Sequence, residues 1–68
     1  MPLTSTKVGQ RAKLTTIKAG RKLKSKLADM GLIPGISLTV ISKHPFIVAV
    51  KESRLALGQG MVLKIEVE

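Results

Sequence analysis

The sequence predicts a mainly β chain: a small, partly open barrel of four or five short strands, with one short helix inserted after the first. Three observations carry this. Apolar and polar residues alternate in short runs such as ISLTVIS and VLKIEVE, the period of a strand with one face buried. Glycine and proline interrupt the chain often enough to keep every element short. Only one stretch, RKLKSKLADM, exchanges the two-residue period for a helical one. At 68 residues the chain is expected to form a single domain over residues 1–68. A domain so small hides only about 60% of the surface its unfolded chain exposes. Curling a sheet into a partly open barrel is then an economical way to bury inward faces and shield strand edges.

The elements follow in order. RAKLTTIK, residues 11–18, reads as a strand opened by Gly9, with Leu14 and Ile17 as its apolar pair, and Gly20 ends it. In residues 21–30, Leu23, Leu27 and Met30 fall at i, i+4 and i+7, one stripe of a three-turn helix that is too short to persist unless the stripe packs. Gly31 stands where a helix end needs a left-handed residue, and Leu32 where the accompanying apolar contact folds back. Pro34-Gly35 supplies the fixed φ and then the positive φ of a type II turn. ISLTVIS is expected to bury Ile36, Leu38 and Val40, and His44-Pro45 ends that strand. FIVAVKES reads as the next strand. VLKIEVE closes the chain with Leu63, Ile65 and Val67 facing in. Between these two, Leu55-Ala56-Leu57 fits either a short strand or a helical turn.

Composition narrows the function. Apolar residues make up 44% of the chain, enough for a folded core. Cysteine is absent, which removes disulfide staples and thiolate zinc sites. The longest aliphatic or aromatic run, Phe46 to Val50, is far shorter than the ~20 residues of a membrane span. MPLTSTKVGQRAKL lacks the apolar run of a secretory leader. The chain is therefore expected to be soluble, reaching a membrane only through a partner.

The net charge of +8 is unevenly placed. Residues 1–28 carry eight bases and no acid, whereas residues 29–68 carry four of each. Such a block attracts nucleic acid, anionic lipid or an acidic protein surface. General acid–base chemistry has only His44, Asp29 and three glutamates to draw on, and no spacing brings them together. A metal site fares no better, because one histidine without cysteine is a poor start. No catalytic residue, cofactor or metal ligand is therefore expected. With Phe46 the only aromatic, neither a base-stacking platform nor an aromatic trough for proline peptides can be built. Electrostatic binding of nucleic acid through phosphate contacts alone is the alternative reading.

The order of Gly9, the helix end Leu27-x-x-Met30-Gly31-Leu32-x-Pro34-Gly35, an apolar strand, Pro45, Ala56-Leu57 and a terminal Ile65-x-Val67 resembles the FeoA family over essentially the whole chain. That resemblance implies an SH3-like barrel and a non-enzymatic, cytoplasmic accessory role in bacterial ferrous iron uptake. Its implied partner is the cytosolic G domain of the membrane transporter FeoB. Related barrels form the C-terminal part of DtxR-type repressors, so a stand-alone regulatory or metal-sensing barrel is a further alternative.

Two classes of residue follow from these readings. Leu27, Met30, Gly31, Pro34 and Gly35 are expected to be structural, ending the helix, docking it and launching a strand at a fixed angle. The candidate partner-binding residues are Arg21, Lys22, Lys24 and Lys26 on the helix, together with Leu32 and Ile33. Two apolar residues in one loop cannot easily both point inward, so one is expected at the surface as an apolar spot rimmed by cations.

Overall fold

In a computed structural model that describes residues 1–68, five antiparallel strands form one sheet of order β4-β3-β2-β1-β5. The strands are β1 (Arg11–Ile17), β2 (Ser37–Lys43), β3 (Phe46–Val50), β4 (Ser53–Leu57) and β5 (Ile65–Val67). The helix α1 (Arg21–Asp29) follows β1, and a four-residue helix, α2 (Gln59–Val62), precedes β5. The expected architecture, an SH3-like, partly open barrel with a helix after the first strand, is the one observed.

β1 is the hinge of the sheet. Arg11 to Lys13 pair with β2, while Leu14 to Ile17 pair with β5. The register shifts between Leu14 and Thr16, and such a bulge bends a strand and raises its twist. One strand thus serves two neighbours in different directions, and the sheet curls without closing. A second bulge, between Val40 and Ser42 in β2, leaves Ile41 at the surface.

The curl encloses one cluster of fifteen buried apolar side chains. Leu14, Leu38, Val40, Val48 and Ile65 line its centre, and Leu27 from α1 and Leu32 from the following turn seal one end. Leu23 and Met30 pack against the cluster while partly exposed, so the helical stripe docks as its spacing predicts. Another end is closed by a segment that no pattern in the sequence marks. Residues Leu3–Ser5 form a 3₁₀ turn whose Leu3 is fully buried, and the buried Thr6 hydroxyl donates to the Leu3 carbonyl at 2.6 Å. Met1 and Val67 exchange hydrogen bonds at 2.7 Å in both directions, and Pro2 bridges to Glu66. The N-terminal residues therefore lie along the outer edge of β5.

The structure corrects two expectations and settles one open choice. FIVAVKES is not one strand: a two-residue turn at Lys51-Glu52, with Lys51 at φ +55°, folds β4 back on β3. Leu55-Ala56-Leu57 belongs to β4, which resolves the open choice in favour of a strand. Leu63 does not face in; it is 64% exposed. The Lys64 amide donates to the Met61 carbonyl at 3.0 Å, so the chain is still helical there. Helical phase points Val62 inward in place of Leu63, and β5 begins only at Ile65.

Candidate functional site

The helix end is a Schellman motif. The Leu32 amide donates to the Leu27 carbonyl and the Gly31 amide to the Ala28 carbonyl, each at 2.9 Å, which satisfies two carbonyls that a helix terminus leaves orphaned. Gly31 adopts φ +95° to allow this. Leu32, one residue on, carries the chain back over the helix into the core and is fully buried.

Pro34-Gly35 then makes the expected turn: Gly35 has φ +96° and the Ile36 amide donates to the Ile33 carbonyl at 3.2 Å. The turn is bolted to β1, because the Gly35 amide donates to the Leu14 carbonyl at 2.7 Å and the Leu14 amide to the Ile36 carbonyl at 2.9 Å. With both ends held, Ile33 is the residue left outside, 49% exposed. Of the two apolar loop residues, Leu32 is structural and Ile33 is presented.

A groove of about 300 Å³ opens between this turn, the helix and β1. Thr15, Thr16 and Ile17 of β1 form its floor, Lys24 and Ala28 come from α1, and Leu32, Ile33 and Pro34 form the far wall. The β1 bulge explains how Thr15 and Thr16, consecutive residues, both reach one concavity. The Thr15 hydroxyl is committed to the Glu66 carbonyl at 3.1 Å. That leaves the Thr16 hydroxyl and the Lys24 ammonium as the free side-chain polar groups. No carboxylate and no imidazole lines the groove. Its chemistry is that of an apolar slot with one cation at its lip, suited to an apolar side chain carried on an anionic surface.

The candidate binding residues do not all meet here. Lys24, Leu32 and Ile33 line the groove. Arg21, Lys22 and Lys26 are exposed on the same helix but outside the lining. At about 100° per residue, Arg21 continues the row of Lys24 and Ala28, while Lys22 and Lys26 project from the opposite flank beside Asp29. The cations thus surround the helix and do not converge on one face. Thr15, Thr16 and Ala28 are lining residues the sequence does not mark, while Ile17 reads there only as an apolar strand residue and Pro34 only as a turn former. Only the neighbourhood of β1 and α1, created by folding, reveals them.

A second hollow of about 280 Å³ is lined by Thr4, Lys43, His44, Phe46, Gln59 and Val62. Lys43 Nζ donates there to the Thr4 carbonyl at 3.1 Å, which ties the N-terminal segment to β2. His44 is exposed in its turn. No three His, Cys, Asp or Glu side chains gather anywhere in the chain, and no helix is long and apolar enough to cross a membrane.

Comparison with known proteins places this architecture. The model of the FeoA domain matches residues 1–68. A protein of Methanocaldococcus jannaschii named as an Fe(2+) transport protein A is 36% identical over 98% of this chain and 84% of its own length. The crystal structure of an iron uptake regulatory protein, FeoA, superposes with a TM-score of 0.90 at 30% identity, covering 100% of this chain and 93% of that one. The solution structure of FeoA from Chlorobium tepidum gives 0.89 at 28% identity, over 98% of this chain and 68% of that one. With the helix-end motif, the bulged β1 and the curled five-stranded sheet all in place, the chain belongs to the FeoA domain family.

Proposed function

We propose that this chain is a non-enzymatic, cytosolic accessory protein of ferrous iron uptake that docks on the cytosolic G domain of a FeoB-type membrane transporter. One observation carries the reading: an apolar groove walled by the half-exposed Ile33 lies beside a helix that bears Arg21, Lys22, Lys24 and Lys26. The transport role named for the Methanocaldococcus jannaschii relative supports it. So does the lining of the groove, where Lys24 is the only ionisable side chain and no carboxylate or imidazole stands beside it.

Binding kinetics on folded variants test the docking face. Rim cations chiefly speed encounter, while a buried apolar anchor governs dissociation. Lys22→Glu with Lys24→Glu should slow association with the transporter's cytosolic domain and flatten its salt dependence. Ile33→Asp should accelerate dissociation about tenfold or more, since burying an unpaired carboxylate costs at least ~1.4 kcal/mol. Parent-like kinetics in both variants, with DNA binding lost in the lysine pair, would transfer the assignment to nucleic acid. Phe46, the sole aromatic, is buried in the core, so any such binding would run through phosphates alone.

A further inference from the structure

The two outer edges of the sheet are treated differently. Along β5 the Met1 and Val67 backbones are hydrogen-bonded and Pro2 bridges to Glu66, so that edge is covered. β4 has no such cover. It pairs with β3 through all five residues without a register shift, and no backbone group of residues 53–57 bonds elsewhere in the chain. Of the devices that blunt a bare edge, SRLAL has no lysine, no proline and no bulge, and Arg54 is its single charge.

The hairpin settles which groups are free. In a two-residue hairpin the pair flanking the loop, here Val50 and Ser53, exchanges both hydrogen bonds. Alternation then turns the amides and carbonyls of Arg54 and Ala56 outward. Leu55, between them, packs against the core yet stays partly exposed, because no neighbouring strand lies beyond it.

We propose that β4 is a self-association edge, pairing antiparallel with β4 of a second copy of this chain about a two-fold axis through Leu55. Strand parity fits. Centred on Leu55, the pairing sets each Arg54 opposite the second copy's Ala56, so the outward amides and carbonyls satisfy each other. The two Leu55 residues fall in a non-hydrogen-bonded pair, where side chains approach most closely. No like charges are opposed, whereas centring on residue 54 would set arginine against arginine. The charge distribution favours the same occupant. Two copies of a +8 chain repel least through the half without excess charge, and β4 lies within residues 29–68, which hold four bases and four acids. An acidic partner is drawn instead to the basic half, so this edge is independent of the iron-uptake reading.

The absence of cysteine makes the test clean. In the paired geometry the Leu55 Cα atoms stand roughly 4.5 Å apart, within the range that a disulfide bridges. Residues 54 of the two copies are offset along the strands beyond that range. Leu55→Cys should therefore oxidise to a covalent dimer readily, and Arg54→Cys should not. The mass of the parent in sedimentation should rise from 7.3 kDa towards twice that value between micromolar and millimolar protein. Ala56→Pro should abolish the rise, since a lone strand edge tolerates proline where the amide faces solvent. Should Ala56→Pro not fold, the cysteine pair decides. A parent that stays monomeric throughout, with Leu55→Cys cross-linking no faster than Arg54→Cys, would overturn the proposal. So would a dimer that persists in folded Ala56→Pro.

Discussion

At Gly31 the backbone turns with φ +95°, where a Cβ would crowd the adjoining carbonyl at a cost of ~1–2 kcal/mol. Space is not the obstacle, because a Cβ built there would sit 3.9 Å from Val50 Cγ1, ordinary contact. The glycine is required by conformation alone. Gly31→Ala should accordingly cost ~1–2 kcal/mol of stability with an unchanged fold, read as a lower denaturant midpoint at a constant slope. A loss of much more would mean that the turn itself rearranges. Ile33 is the opposite case. Its exposure carries no evident structural benefit, and Ile33→Ser should leave the unfolding free energy within ~0.5 kcal/mol of the parent. Binding kinetics are where its substitution should show.

Among elements, α1 depends most on tertiary contact. Nine residues fall below the length at which an isolated helix persists in water, and Gly20 offers its N-terminus no side-chain cap. What holds it is the Schellman closure and the burial of Leu27, flanked by the partly buried Leu23 and Met30. Leu27→Ala should cost ~2–5 kcal/mol, a large share of the roughly 3–10 kcal/mol available to a domain of this size. An unaltered denaturation midpoint would contradict the docked helix. α1 also forms one wall of the groove through Lys24 and Ala28, so the same variant should weaken partner binding even where the sheet survives.

For the whole molecule, the N-terminal segment decides how the curl ends. Leu3 is fully buried, and Met1 and Pro2 lie against β5, a three-residue strand that a single neighbour would hold poorly. Leu3→Ala should destabilise the fold by ~2–4 kcal/mol and accelerate exchange of the Val67 amide, whose hydrogen bond runs to the Met1 carbonyl. If that amide stays as protected as in the parent, residues 1–3 are passengers on the barrel. The charge asymmetry operates at this scale too. The basic half, which includes β1 and α1, can draw an anionic partner, while the balanced half carries the bare β4 edge.

Local chemistry made much of this legible in the sequence. The spacing of Leu23, Leu27 and Met30 specifies a helix with one buried stripe. Gly31 and Pro34-Gly35 each demand a backbone state that few other residues reach, so helix end and turn could be read before any contact was known. Alternation located the strands but could not say where one ended: FIVAVKES runs from five apolar residues into Lys51-Glu52-Ser53 with no glycine or proline to mark a turn, and VLKIEVE keeps its period through Leu63, which tertiary packing leaves exposed. Lys51-Glu52 turns back because β4 finds a partner in β3, and Leu63 faces solvent because a helical turn sets the phase ahead of β5. The groove lay further out of reach. Thr15, Thr16 and Ala28 are unremarkable in sequence, and with Pro34, legible only as a turn former, they become a site only when a bulged strand, a helix flank and a turn are brought side by side. Nor could charge alone show that the helix cations point in different directions. By itself the sequence determined the period, the turns and the sign of the charge, all set within a few residues. Register, the exposure of Ile33 over Leu32 and the openness of the β4 edge were decided by tertiary structure, since each depends on which distant segment occupies the neighbouring space.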